Sequence, residues 1–413
     1  MDSSKKNDVH SNSSELRVDA DALKYTVPCD KCTGVSNISS NGLCGTNVTV
    51  IGIGRLGLGL ALLLEAAGHR VVGVDVNADY VQCLNDKTFD SKEPGYTELL
   101  QNCKHFTASV DVDEGITHAD LVFIMVQTPN AGGERMYDHA VVSTVLQQIN
   151  DRRVRDKHII IGCTVMPKYI DEVASFLLSD CLNTTVSYNP EFVAQGEILQ
   201  GMLTPDIVLI GTHSPQVCAI LKDLYAKIVR NAPTFHVMTP REAEVTKIAL
   251  NGYITTKISF ANMISDACDA LGADKDRVLH AVGSDSRIGV KCFKSGYSYG
   301  GPCFPRDTLA LALCLKHCHV KNDLLLAADA YNKIHCDVMC EAMLLEDKDA
   351  YVIENVCYKE HSNVPIIEES PKLKIAQKLR CASKKVTIKD QAHILNEVKK
   401  QYGNIFAYIE KKG

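Results

Sequence analysis

Residues 47–68 read NVTVIGIGRLGLGLALLLEAAG. Val48, Thr49, Val50 and Ile51 are β-branched in a row, the pattern of a strand buried on both faces. Glycines follow at 52, 54 and 57, and then a leucine- and alanine-rich run that closes at Gly68. This order sets Gly52, Ile53, Gly54, Arg55, Leu56 and Gly57 between a strand and the head of a helix. The first glycine permits a tight turn, the second lets a ligand approach the backbone, and the third lets the helix pack closely on the strand. Free N–H groups at the helix start attract a pyrophosphate. RVVGVDV, 70–76, reads as the next strand, and Asp75 near its end lies 23 residues beyond Gly52. A carboxylate there binds ribose hydroxyls and repels a 2′-phosphate, so the expected cofactor is NAD and not NADP. The rival reading of 48–67 as a membrane span is weak. Arg55 near its middle costs roughly 2.5–3.5 kcal/mol in a bilayer, and four glycines interrupt the run.

Outward from this stretch, apolar strands alternate with helical segments. ADLVFIMVQTP and KHIIIGCTV are strands, and 141–150 is helical, which predicts a parallel sheet covered on both faces. From about residue 239 the pattern changes. REAEVTKIALNGYITTKISFANMISDACDALGA lacks proline and repeats apolar residues at three- and four-residue spacing, so it reads as one long helix. DAYVIENVCYK, SPKLKIAQKL and KKVTIKD then restart a strand–helix–strand pattern, and NIFAYIE is a last strand. The expected division of the 413 residues is a polar, disordered extension over 1–46, a nucleotide-binding domain over 47–238, a helical domain over 239–346 and a shortened α/β domain over 347–413.

A net charge of −6 argues against nucleic acid as a partner. The polar first residues are not followed by an apolar signal core, so a cytoplasmic location is expected. The seventeen cysteines are then reduced thiols. Asn12 and Asn37 match glycosylation sequons that carry no meaning in that compartment. Cys29, Cys32 and Cys44 resemble half a zinc site without a fourth ligand. CLKHCH (Cys314, His317, Cys318, His319), joined by His335, Cys336 and Cys340 further on, is a weaker candidate cluster, and no metal is expected.

One cysteine stands apart. Cys303 sits in GGPCFPRD, at a turn that opens a helix, with Asp307 four residues on. VQTPN puts Thr128 and Pro129 at the C-terminal end of a strand, where ligands bind in such sheets. NPEF places Glu191 in a loop after another strand. Glu244, Lys247 and Asn251 in EVTKIALN share one helix face. A cysteine at a helix start near a lysine is expected to have a lowered pKa and to act as a nucleophile. Lys247 and Asn251 suit an oxyanion, while Asp307 and Glu191 suit proton transfer. Beside a nicotinamide, such a thiolate traps an aldehyde as a thiohemiacetal, and a second hydride transfer leaves a thioester for water to open. The bland readings are a solvated helix lysine and an inert buried thiol.

GIGRLGLGLA, EPGY, VQTP, NPEF, PDIVLIG, EVTKIALNGY, DSRIGVKCFKSGYSYGGPCFPRD and YK…EESPKL occur in this order over about 47–380. In this the chain resembles the UDP-glucose/GDP-mannose dehydrogenase family, NAD-dependent four-electron oxidoreductases that make nucleotide-sugar uronic acids. The resemblance implies an N-terminal Rossmann-like parallel sheet, a central long-helix dimerisation domain and a C-terminal Rossmann-like nucleotide-sugar domain. It makes Cys303 the catalytic thiol and gives the oxyanion to Lys247 and Asn251. Asp307 and Thr128 would manage the catalytic water, and Glu191 would assist thioester hydrolysis. Thr128 and Thr164 would also touch NAD. Phe192, Lys294, Tyr299 and Gly300 would line the substrate site, with Lys359 joining from the C-terminal domain and Arg287 reaching a neighbouring active site across a homodimer interface.

The segment IGVKCFKSGYSYGG is most similar to that of UDP-glucose-oxidising members. UDP-N-acetylhexosamine and GDP-mannose remain alternative substrates, and a catalytically weak binding or scaffold homologue is the non-enzymatic alternative. Four positions depart from the family pattern: Val165 for threonine, Gln195 for glutamate, Asn355 for glycine and Glu368 for arginine. The C-terminal domain is also short.

Overall fold

In the computed structural model, which describes residues 45–129, 137–359, 362 and 364–411, the opening stretch becomes strand β1 (Asn47–Ile51), a turn and a helix (Arg55–Ala66). The proposed extension up to residue 44, with Cys29, Cys32, Cys44 and both sequons, lies outside the described residues. No described helix is long and apolar enough to cross a membrane.

Strands β2 (Arg70–Val74), β3 (Phe106–Ser109), β4 (Leu121–Ile124), β5 (His158–Ile161), β6 (Thr185–Tyr188), β7 (Ile207–Gly211) and β8 (Thr234–Met238) join β1 in one sheet. Its order is β3-β2-β1-β4-β5-β6-β7-β8. The first six run parallel, the arrangement of a doubly wound dinucleotide-binding sheet. The expectation of a wholly parallel sheet needs one correction. β7 meets β6 antiparallel and pairs parallel with β8. The short helix Ile198–Leu203 between β6 and β7 is not a full crossover, so the chain returns in the opposite direction.

Each face of the sheet buries its own core. Leu58, Leu62, Phe123 and Ile210 belong to one, and Ile124, Leu146, Ile161 and Tyr188 to the other. Such double coverage is why β1, β4 and β5 read as unbroken apolar runs. Gly57 is required by the close seat of its helix. A Cβ there would lie 1.9 Å from the Gly52 carbonyl oxygen.

The long helix forms as read, over Pro240–Leu271. Thr239 and Glu242 close a capping box at its start, and Gly272 ends it in the left-handed region at φ 66°. Helices Phe304–His317 and Asp323–Leu345 pack on it. Beyond them β9 (Ala350–Glu354), β10 (Lys385–Asp390) and β11 (Ala407–Glu410) make a parallel three-stranded sheet in the order β11-β10-β9. Asn355, standing where the family pattern has glycine, takes φ 55°, a region asparagine tolerates better than most residues.

A Gly57→Ala variant should lose about 1–3 kcal/mol of stability through overpacking. Thermal denaturation of that variant beside the parent reads this directly, and an unchanged midpoint would contradict the packing described.

Candidate active site

The nucleotide cradle lies where the sheet order turns, between β1 and β4. Gly52 adopts φ 87°, and an added Cβ would meet Val126 and Met125 within 2.9 Å, so only glycine makes this turn. Gly54 differs. It is exposed, and a Cβ there meets nothing within 4 Å. Open space therefore faces the helix start, which has no side-chain cap, and a pyrophosphate fits that opening. The surrounding backbone is pinned by Tyr80, whose hydroxyl donates to the Ile53 carbonyl at 2.8 Å, and by Tyr96, which donates to Arg55 O at 2.6 Å. Asp75 sits half-buried just past β2 and accepts the Asn77 N–H at 3.1 Å. Thr128 and Thr164 lie half-buried beyond the C-terminal ends of β4 and β5, on the same edge of the sheet. Arg55 Nη1 donates to Gln195 Oε1 at 2.8 Å, tying the glycine turn to the loop after β6. These residues suit a dinucleotide.

The second cluster is assembled from four elements. Cys303 precedes the first turn of its helix, and its carbonyl accepts the Asp307 N–H at 2.8 Å. The buried Asp307 carboxylate accepts hydrogen bonds from Asn251 Nδ2 on one oxygen and from the Tyr137 hydroxyl on the other. One turn before Asn251, Lys247 donates from Nζ to the Glu191 carbonyl at 2.8 Å, with its ammonium 4.8 Å from the Phe192 ring centroid. Lys247 and Asn251 are both only 8% exposed, so the reading of a solvated helix lysine fails. Glu191 is reached by the Tyr225 hydroxyl at 3.2 Å, which lies closer, at 2.8 Å, to Asn189 Oδ1.

Electrostatics qualify the expected nucleophile. The Cys303 side chain keeps access to solvent, yet its thiol pKa is raised, not lowered. Burial is the largest cause, and Asp307 adds to it. Lys247 and Arg306 pull the other way without prevailing. Sequence spacing showed both Lys247 and Asp307, but not the burial that outweighs the lysine. Burial also lifts the Glu191 carboxyl to about 6, against the pull of Tyr225 and Lys247, which suits it to proton transfer near neutrality. Burial pushes the Tyr137 hydroxyl up, and Asp307 adds to this, so Tyr137 stays a donor.

Other predicted residues fall differently. Glu244, expected on the same face as Lys247, turns instead to the backbone N–H groups of Lys168 and Ile170, at 2.6 and 2.7 Å. It anchors the loop after β5, and burial raises its carboxyl to about 7. Gly300 and Gly301 press against the C-terminal domain. A Cβ on Gly300 would meet Glu369 O at 2.2 Å, and one on Gly301 would meet the Tyr358 ring at 2.4 Å. Tyr299 is 5% exposed, packs edge-on to Phe304, and exchanges backbone hydrogen bonds with Asn332. It forms the wall behind the cysteine loop. Lys359 pairs with Glu197 at 2.6 Å, so the C-terminal domain does close on the loop after β6. Glu368 lies 3.6 Å from Arg306. Lys294 is exposed, and Arg287 is exposed with its guanidinium held by Asp285. Neither is brought to Cys303 by these contacts.

Among the described residues no group of three or more His, Cys, Asp and Glu side chains converges as a metal site. That corrects the candidate cluster around Cys314 and Cys318. Sequence reasoning missed Tyr137 and Tyr225. Tyr225 lies on a helix of ordinary amphipathic pattern, and Tyr137 belongs to no motif, so only the fold brings Tyr225 to Glu191 and Tyr137 to Asp307.

A doubly wound sheet, parallel except where β6 meets β7, with a glycine turn after β1 and a carboxylate at the end of β2, defines a dinucleotide-binding fold. Residues 46–229 match the UDP-glucose/GDP-mannose dehydrogenase family, NAD binding domain, and residues 241–334 match the central domain of the same family. The chain belongs to that family, and NAD is the cofactor of its N-terminal domain. It is 31% identical over 279 residues to UDP-glucose 6-dehydrogenase AglM of Haloferax volcanii, covering 64% of this chain and 64% of that protein. It is also 31% identical over 304 residues to UDP-glucose 6-dehydrogenase of Pseudomonas aeruginosa, covering 71% of this chain and 67% of that one. The chain thus spans about two thirds or less of the length of such relatives. The solved UDP-glucose dehydrogenase of Pyrobaculum islandicum superposes with a TM-score of 0.83 at 26% identity, covering 91% of this chain and 88% of that one.

Because Gly54 opens onto empty space, Gly54→Ala should leave the melting temperature within about 1 °C and weaken NAD about tenfold or more. Calorimetric titration with NAD beside a thermal melt checks both halves.

Proposed function

We propose that this chain is an NAD-dependent nucleotide-sugar 6-dehydrogenase that oxidises UDP-glucose to UDP-glucuronate. The observation that carries this reading is Asp307. It is held by Asn251 and Tyr137 in the first turn behind Cys303, with Lys247 and Glu191 on the adjoining wall. NAD, when bound, accepts one hydride in each of two oxidations. Thr128 and Thr164 stand at the sheet edge toward that cofactor.

The chemistry this chain would supply runs as follows. The sugar's primary hydroxyl would give its proton to water as its carbon gives hydride to NAD, which makes the aldehyde. The Cys303 sulfur, its proton passed to water or to Asp307, bonds to the aldehyde carbon, and Lys247 and Asn251 donate to the resulting oxyanion. Loss of the second hydride from that carbon leaves a thioester on Cys303. Glu191 or Asp307 takes a proton from water as its oxygen attacks the acyl carbon, and the carbon–sulfur bond breaks to free the acid and the thiol. The high thiol pKa without ligands fits a nucleophile generated only when a positively charged nicotinamide lies nearby.

Three parts share the work in this reading. Residues 47–238 hold NAD, 239–346 pair subunits, and 347–413 contribute Lys359 and the ends of β9 and β10 to the uridine side. A cavity of about 180 Å³ there is lined by Asn355, Lys359, Ser362, Asp390 and Gln391. A homodimer is supported by the long helix, where Val245, Tyr253 and Phe260 stay 45%, 63% and 45% exposed at eight- and seven-residue spacing. UDP-glucose is preferred over UDP-N-acetylhexosamines and GDP-mannose because the Haloferax and Pseudomonas relatives carry the UDP-glucose name.

NADH formation with a panel of nucleotide sugars tests the substrate. UDP-glucose should give two NADH per acid, and silence with every sugar despite NAD binding would favour the non-catalytic alternative. Cys303→Ser should lose net acid formation, and full turnover there would reject the thioester route. Acid release should fall as pH drops through about 6, where Glu191 becomes protonated, and Glu191→Gln should flatten that limb. Tyr253→Glu should shift the sedimenting species toward the monomer.

A further inference from the structure

Between Ser295 and Cys303 the chain has no helix or strand, yet it must deliver the thiol to a defined place. Side chains from two helices hold it. From the long helix, the Ser265 hydroxyl meets that of Ser295 at 2.8 Å, and Asn262 Oδ1 accepts the Gly296 N–H at 3.2 Å. From the helix Asp323–Leu345, Asn332 accepts the Ser298 hydroxyl on its carbonyl at 2.6 Å and the Tyr299 N–H on its side chain at 2.8 Å.

Gly296 is the weak point of this segment. It is exposed, and a Cβ added there meets nothing within 4 Å, so packing does not fix it and hydrogen bonds must. Its carbonyl lies 2.8 Å from His335 Nε2. The other ring nitrogen, Nδ1, lies 2.8 and 2.9 Å from the two oxygens of Asp266 on the long helix. A carbonyl and a carboxylate both accept, so each ring nitrogen must carry a proton. The Tyr331 hydroxyl donates to the same Asp266 carboxylate at 2.7 Å. His335 is 3% exposed, so this imidazolium and its carboxylate form a sheltered pair.

We propose that His335 is a positioning residue for Cys303: its imidazolium ties the Gly296 carbonyl to Asp266 and so fixes the glycine-rich segment that presents the thiol. With both nitrogens engaged as donors, His335 has no lone pair for a metal, which gives this histidine a task other than the cluster its neighbours Cys336 and Cys340 suggest. The kinetic part of the proposal rests on the thioester reading above, and the chemical part does not.

The test uses the full chain as wild type, His335→Leu, His335→Gln and Asp266→Asn. Alkylation of Cys303 by iodoacetamide is followed by peptide mass spectrometry and divided by that of Cys83, an exposed thiol in the N-terminal domain. In His335→Leu the released segment should raise this ratio about fivefold and lower kcat with UDP-glucose about tenfold. NADH formed per acid should rise above two, because aldehyde escapes before sulfur captures it. His335→Gln keeps a donor toward Gly296 and should restore most of all three. Simple loss of stability reduces the active fraction without changing NADH per acid. If His335→Leu does not fold, Asp266→Asn carries the same expectations in the same directions. Alkylation and NADH per acid both within about twofold of wild type, or slower alkylation of Cys303, would overturn the assignment. Were the wild type to oxidise no nucleotide sugar, the proposed activity would fail, and the alkylation ratio alone would still decide the role of His335.

Discussion

The site depends on one hydrogen bond between two helices, from the Asn251 amide to the buried Asp307 carboxylate. It fixes the register in which the helix after Cys303 crosses the long central helix. The Thr255 and Thr308 hydroxyls meet at 2.8 Å one turn further along. Gly252 allows the close crossing, since a Cβ there would lie 2.8 Å from Leu311. Because Lys247 is one turn from Asn251, the same register brings its ammonium to the end of β6, where it takes the Glu191 carbonyl. A slip of one turn at this crossing would part Asp307 from Asn251.

Opposing charges meet at this assembly. Burial and Asp307 hold the Cys303 thiol in its protonated form, despite Lys247. Glu191 is likewise held part-protonated by burial. At the glycine turn, Gly54 leaves open backbone at the head of its helix.

How far the sequence could be read follows from the range of each interaction. The turn at Gly52–Gly57, the capped long helix and the strands β1, β4 and β5 are local patterns, and all were legible. Lys247, Asn251, Cys303 and Asp307 stood out because their motifs are compact, and the Asn251–Asp307 hydrogen bond joins their two helices. Tyr137 was not, since its contact with Asp307 spans 170 positions. Glu244 misled for a related reason. It shares a helix face with Lys247, but the neighbour it meets is the backbone at 168–170, which no helical spacing reveals. The antiparallel β7 escaped because strand direction depends on how the connection from β6 returns, not on the composition of either strand.

By itself, then, the sequence determined a dinucleotide turn, a carboxylate closing the second strand, a long helix bearing a lysine and an asparagine, and a cysteine heading another helix. These are set by backbone sterics and by periodicities of a few residues. Only the tertiary structure decided the ionisation of that cysteine, the partners of Asp307, and the buried His335–Asp266 pair beneath Gly296. Each of those depends on which charges and hydrogen-bond donors, distant along the chain, are excluded together from water.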